Sequence, residues 1–201
     1  MKKINLVLFV FAALVLTSFM NVDNEQEVKD YLNIPGPIKF DNKNYNLAWS
    51  SRPADNYYKQ EYLAKGDSLT HFNKMVIIDV LDDTVTLKDL VYLKIHALEN
   101  RKKIDAAVSY NLIESPDSSE YILDFSESEG MPKVDFAEWN VYRYKTFKDN
   151  AGHAGVMLFG ISVRAYGDKV PSFIGSLRDL RETITSQLIS YKIPPVLIAA
   201  D

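Results

Sequence analysis

The chain opens on eleven consecutive apolar residues, Leu6 to Leu16, and no later stretch runs so far without a polar residue. Lys2 and Lys3 precede this run, and Thr17 and Ser18 follow it, which is the three-part pattern of a secretory signal. The run falls short of the roughly 20 apolar residues needed to cross about 30 Å of hydrocarbon. Cleavage after Ser18 is therefore expected, with an uncleaved anchor as the alternative because Phe19 and Met20 prolong the apolar stretch. Residues 1–20 read as the signal and 21–30 as a polar spacer. Residues 31–201, without linker or repeat, read as a single domain.

Within that domain the apolar positions recur first with the period of strands. Ile38–Phe40 and Tyr45–Ser51 flank the turn formers Asp41-Asn42-Lys43-Asn44 and predict a hairpin. Tyr57–Leu63 is a third strand, Ser68–Phe72 a short helical turn, and Lys74–Leu81 a strand with Val76, Ile78 and Val80 on one face. The period then lengthens. Leu87, Leu90, Val91, Ile95 and Leu98 mark a helix to about Lys102, with Thr86 as N-cap and Asp89 three residues on. Three or four strands follow in Ala107–Ile113, Glu120–Phe125, Phe136–Phe147 and Val156–Tyr166. A last helix is capped by Ser172, carries the stripe Phe173, Leu177, Leu180, Ile184 and Leu188, and stops at Pro194-Pro195. Strands joined by short turns pair antiparallel. The expected fold is α+β: an antiparallel sheet of six or seven strands with two main helices packed on it, after the N-terminal signal helix.

Composition narrows the partners. Loss of Lys2 and Lys3 with the signal would leave 21 basic against 27 acidic residues. The one basic run, Arg101-Lys102-Lys103, falls at a helix end, where cations complement the helix dipole. Nucleic acid, which demands a basic face, is not an expected partner. The chain has no cysteine, which excludes a lipoprotein anchor, disulfides, thiolate metal sites and cysteine nucleophiles. An exported protein, periplasmic or secreted, is expected, touching a membrane only through its N-terminal segment if that is retained.

The segment Tyr58-Lys59-Gln60-Glu61-Tyr62-Leu63-Ala64-Lys65-Gly66-Asp67-Ser68-Leu69, with Phe72-Asn73-Lys74-Met75 after it, resembles a stretch of uncharacterised exported bacterial envelope proteins. The order of elements around it is similar to the PsbP-like α+β fold. The resemblance covers about twenty residues in detail, with Ala64 where a proline would stand, and carries no catalytic motif. It implies a binding or assembly module.

Candidate chemistry is sparse. His71, His96 and His153 are far apart in sequence and lack the short spacings of metal ligands, so neither a metal nor a cofactor is expected. His153 lies between Gly152 and Gly155 in a loop and is the one candidate for a catalytic residue, paired with a nearby acid or serine. No Gly-x-Ser-x-Gly elbow accompanies it. The acid pairs Asp82-Asp83 and Glu127/Glu129 read as solvated turn residues. Aromatic content is the unusual feature, with 12 tyrosines, 10 phenylalanines and 2 tryptophans. Trp49, Tyr57, Tyr58, Trp139, Tyr142 and Tyr144 are candidates for a ligand or partner surface, against the alternative that they fill the sheet core. The functional expectation is an exported, non-catalytic module binding an envelope protein, a glycan or an apolar ligand. A small cofactor-free hydrolase using His153 is the alternative.

Overall fold

A computed structural model of the chain describes residues 28–130 and 133–199. The signal and most of the spacer expected at residues 1–30 lie outside the described residues. No helix among the described residues is long and apolar enough to cross a membrane.

Among the described residues, eight strands form one continuous antiparallel sheet, curled into a half-barrel. They are β1 (Ile38–Phe40), β2 (Lys43–Ala54), β3 (Tyr57–Ala64), β4 (Lys74–Leu81), β5 (Ser109–Glu114), β6 (Glu120–Glu129), β7 (Phe136–Lys148) and β8 (Ala154–Tyr166). Two helices complete the described residues: α1 (Leu87–Arg101) between β4 and β5, and α2 (Val170–Ser190) after a 3₁₀ turn at Gly167–Lys169. The strand order is β1-β2-β3-β4-β8-β7-β6-β5. Each hairpin pairs with its sequence neighbour, and β8 closes the gap by pairing with β4, Lys74 opposite Val163 through Leu81 opposite Val156.

The expected α+β sheet of six or seven strands is thus corrected to eight strands in a fold that is mostly sheet. The two hairpin groups before and after α1 carry no local signal that they join. The union of β4 with β8 depends on apolar faces that meet across about eighty residues of chain. Two boundaries also move. Strand β6 runs through Ser126-Glu127-Ser128-Glu129, whose polar alternation looks like a turn until its strand partners are known. Helix α2 begins at Val170 with Pro171 in its first turn, and Ser172 bonds the Lys169 carbonyl at 2.9 Å instead of capping. Residues Ser68–Phe72, expected as a helical turn, form bends and a tight turn without helix.

Helix α1 starts as its sequence indicates. Thr86 Oγ1 accepts from the Asp89 amide at 3.1 Å and donates to the Asp89 carboxylate at 2.8 Å. The two sheet faces then divide the core. On one, Val76, Ile78, Val80, Trp139, Val141, Phe159 and Ile161 pack with Ile184 and Leu188 of α2 and with the segments 31–40 and 191–199. On the other, Leu87, Leu90, Val91 and Leu98 of α1 pack on Leu81, Leu123, Phe125, Val156 and Leu158. The 15 residues of α1 are too few to cover that face, and the part they leave combines charged side chains with the apolar cluster of Leu63, Phe72 and Met75.

Candidate functional site

Period-two alternation sets the chemistry of the bare region. Lys59 and Glu61 on β3, Asp79 on β4, Glu127 and Glu129 on β6, Glu138 on β7 and Arg164 on β8 all point to the α1 side of the sheet. Lys94 and Arg101 approach them from α1. Together with Tyr57, Tyr142, Tyr144, Phe72 and Phe136 these side chains line a cleft of about 140 Å³. A strand presenting Ser-Glu-Ser-Glu has no reason to be buried on its own. It is buried here because β7 flanks it and α1 ends above it.

Part of this cleft is a closed network. The Arg164 guanidinium lies 4.4 Å from the Phe72 ring and 4.1 Å from the Phe136 ring, which leaves its polar edge for Glu138. Its Nε and Nη2 lie 2.7 and 2.6 Å from Glu138 Oε2. Glu138 Oε1 accepts from Asn140 at 3.0 Å, and Asn140 in turn accepts from Ser162 and from the Tyr142 hydroxyl. At the mouth, Arg101 donates to the Ser128 carbonyl at 2.6 Å and to Glu129 at 3.0 Å. Asp105 receives the Ser128 amide at 2.7 Å and its hydroxyl at 2.8 Å. Burial acts to raise the Asp105 pKa, but these bonds outweigh it and hold the carboxyl below its usual range. Helix α1 is thereby latched to the end of β6.

The rest is only partly satisfied. Glu127 stands directly opposite Glu138 in the β6–β7 ladder, a like-charge pairing that destabilises a sheet. Glu127 Oε2 and Asp79 Oδ1 are buried without a hydrogen-bond partner among the described residues, as is the Tyr144 hydroxyl. Arg101 Nε is the nearest cation to that Glu127 oxygen, at 3.6 Å. The other Asp79 oxygen accepts from Tyr57 at 2.8 Å, with Lys59 at 3.6 Å. Lys94 places its ammonium 4.3 Å from the centre of the Phe125 ring. It has no ion pair within 4.0 Å among the described residues. Burial depresses its pKa, against the pull of Glu127 and Glu138. Burial likewise raises the Glu127 carboxyl, and it pushes Glu61 up to about 7. Perturbed ionisable groups gathered in a concavity make it a candidate functional site.

Glu61 supplies a direct check. Its folded pKa of about 7 exceeds an unfolded value of 4.5, so the native state binds the extra proton between these pH values. Stability is then full below pH 4.5 and declines as pH rises through 7. Glu61→Gln should stabilise the protein at pH 8 by up to roughly 3 kcal/mol and leave it unchanged near pH 4. Urea denaturation of both proteins at the two pH values measures this. Equal stabilities at pH 8 would show that Glu61 is not held in a charge-averse site.

The six aromatic candidates do not form one exposed patch. Tyr57, Tyr142 and Tyr144 line the cleft, and Trp49 lies on the same face, opposite Glu61 in the β2–β3 register. Tyr58 and Trp139 point to the other face and are buried. Alternation along β3 and β7 separates them, since neighbouring residues of a strand cannot share a face. His153 is in the β7–β8 loop, its Nδ1 2.8 Å from Asp149 Oδ2. The Asp149 carboxylate also accepts the amides of Ala151, His153 and Ile198, which ties the loop to the C-terminal segment. The pair lines none of the three cavities described. His71 stacks on Tyr166 at 4.0 Å, and His96 is exposed on α1. No cluster of metal ligands occurs among the described residues.

Sequence reasoning did not find the charged residues of the cleft. Glu127 and Glu129 were expected in a turn, where acids are solvated, and the structure corrects this: both lie in strand β6. A usable signal was present in the ionic residues at every second position of β3, Lys59 and Glu61, inside an otherwise tyrosine-rich strand.

Fold and site together define a sheet-dominated protein with a charged, partly unsatisfied cleft under helix α1. The chain belongs to an uncharacterised protein family whose model matches residues 32–193, a span that contains every residue of the cleft. No curated protein and no solved structure matches it.

Proposed function

We propose that this is a binding protein that holds a small polar ligand in the cleft between α1 and strands β3, β4, β6, β7 and β8. The observation that carries the reading is the pair of buried, unpartnered acceptors, Asp79 Oδ1 and Glu127 Oε2, facing one cavity. A buried acceptor without a donor costs about 1–3 kcal/mol, and more when charged. A ligand that donates hydrogen bonds there relieves that cost. The ionic lining disfavours an apolar ligand. The volume of about 140 Å³ resembles that of a cavity that accepts benzene, about 150 Å³, which favours a ligand of small-metabolite size over a polymer. The hydrolase alternative would rest on His153 and Asp149, whose carboxylate is committed to backbone amides, so the cleft has the stronger support.

Binding outside the cytoplasm is part of this proposal. It rests on Lys2, Lys3 and the apolar run Leu6–Leu16, and on the resemblance to exported envelope proteins. Cell fractionation tests it.

The binding test is a thermal-shift and titration screen with monosaccharides, amino acids and small amines, followed by Asp79→Asn and Glu127→Gln. At least one compound should bind, and each variant should weaken it tenfold or more. Both variants should be as stable as the native chain or more so, because each removes a buried charge that lacks its full complement of partners. Undiminished binding by both variants would overturn the assignment of the cleft.

A further inference from the structure

We propose that the ligand of the cleft is a small zwitterion, its carboxylate paired with Lys94 and its ammonium with Glu127. The inference rests on the cleft being a binding site and names what fills it.

The two residues face the same cavity from opposite sides, Lys94 from α1 and Glu127 from β6. Each is among the charges that shift the other's protonation, yet they lie too far apart to form an ion pair. Every other cation of the cleft is engaged. Arg164 is locked onto Glu138, Arg101 onto Asp105, Ser128 and Glu129, and Lys59 lies beside Asp79. Lys94 alone meets only the rings of Phe125 and Tyr142. Among the described residues this leaves Lys94 as a cation without an ion pair and, across the cavity, a Glu127 oxygen without a hydrogen bond whose nearest cation is Arg101 at 3.6 Å, with an Asp79 oxygen likewise lacking a hydrogen bond in the same cavity.

Three ligand chemistries could enter such a gap. A metal ion would need three or more clustered ligands, and the described residues contain no such cluster. A neutral polyol would satisfy hydrogen bonds but give no counter-charge to either group. The Lys94 ammonium meets only aromatic rings and the Glu127 Oε2 has no hydrogen bond, so an opposite charge brought beside each offsets the cost of burying it. A molecule carrying both charges a few atoms apart supplies the two together and leaves the net charge of the site unchanged. A cavity of about 140 Å³ limits it to the size of an amino acid. The remaining acceptor, Asp79 Oδ1, suits a second donor on the ligand.

The test uses the full chain and the twenty common α-amino acids, each added singly in a thermal-shift assay. The best responder is then titrated beside its amide, its N-acetyl derivative and glucose. The expected result is saturable binding of the free amino acid, with the amide and the N-acetyl derivative each at least tenfold weaker. Lys94→Met should erase the preference for the free acid over the amide, and Glu127→Gln the preference for the free acid over the N-acetyl derivative. If glucose or a simple amine binds and the amino acids do not, the cleft is a binding site but the zwitterion is wrong. If an amino acid binds and both variants bind it unchanged, the assignment of Lys94 and Glu127 is wrong. No response to any of the twenty overturns the proposal.

Discussion

Arg143→Met is expected to lower the stability of the protein by about 3 kcal/mol, the low end of the range for removing one partner of a buried ion pair, because Glu120 stays partly exposed. Arg143 sits on β7 with its side chain 12% exposed. Its Nε and Nη2 grip the Glu120 carboxylate at 2.8 and 2.9 Å, the two-point geometry that a guanidinium matches and an ammonium does not. Its Nη1 donates to three carbonyls where α2 ends, those of Leu188, Ile189 and Tyr191, at 3.1, 3.0 and 3.0 Å. The last carbonyls of a helix have no intrahelical donor, and a cation there also complements the helix dipole. Methionine keeps much of the volume and none of these bonds. It strands Glu120, which retains only Lys145 at 3.5 Å, and it unpins α2 from the sheet. Arg143→Lys should recover less than half of the loss. Urea denaturation followed by circular dichroism measures both variants. A loss below 1 kcal/mol for Arg143→Met would show that the clamp adds nothing to packing alone.

Trp139→Ala should cost a similar amount, about 3–5 kcal/mol, as expected for emptying the site of a large buried aromatic. Trp139 is fully buried beneath α2, and its indole Nε1 donates to Asp124 Oδ1 at 3.2 Å. The same Asp124 oxygen lies 3.2 Å from Arg181 Nε of α2, so the substitution removes apolar area and one of the carboxylate's two partners together. Trp139→Phe separates these effects: it keeps most of the ring, loses the donor, and should cost about 1–2 kcal/mol. Guanidinium unfolding monitored by circular dichroism gives both values. The result also bears on the cleft, because Trp139 lies on the opposite face of the sheet. A folded Trp139→Phe protein should bind the cleft's ligand as the native chain does. A loss of binding without loss of stability would return Trp139 to the functional surface.

Much of the local structure was legible before folding. The Thr86–Asp89 cap, the apolar spacing of α1, the stripe along α2 and the turn residues between strands specify their elements through interactions within a few residues. Local physics is visible in a local string. The cleft was not legible in this way. Tyr57 and Tyr58 are adjacent in sequence and reach opposite faces, one beside Asp79 and the other beside Asp55. Glu127 looks solvated until Glu138, Arg101 and α1 surround it. The opening at Gly160 shows the same dependence. A Cβ there would come within 2.7 Å of the Tyr142 ring, so the glycine lets that ring lie on the sheet floor of the cleft. Its value depends on a residue eighteen positions away.

What the sequence alone determined is the type and approximate extent of nearly every element, the absence of thiol chemistry and the acidic balance of the chain. Tertiary structure decided that two groups of hairpins fuse into one eight-stranded sheet, that α1 covers only part of a face, and that the uncovered part gathers charge. The reason is physical. Periodicity and capping act over a few residues and leave their marks in the string, whereas strand union, desolvation and the pairing of charges are set by neighbours that only the folded chain brings together.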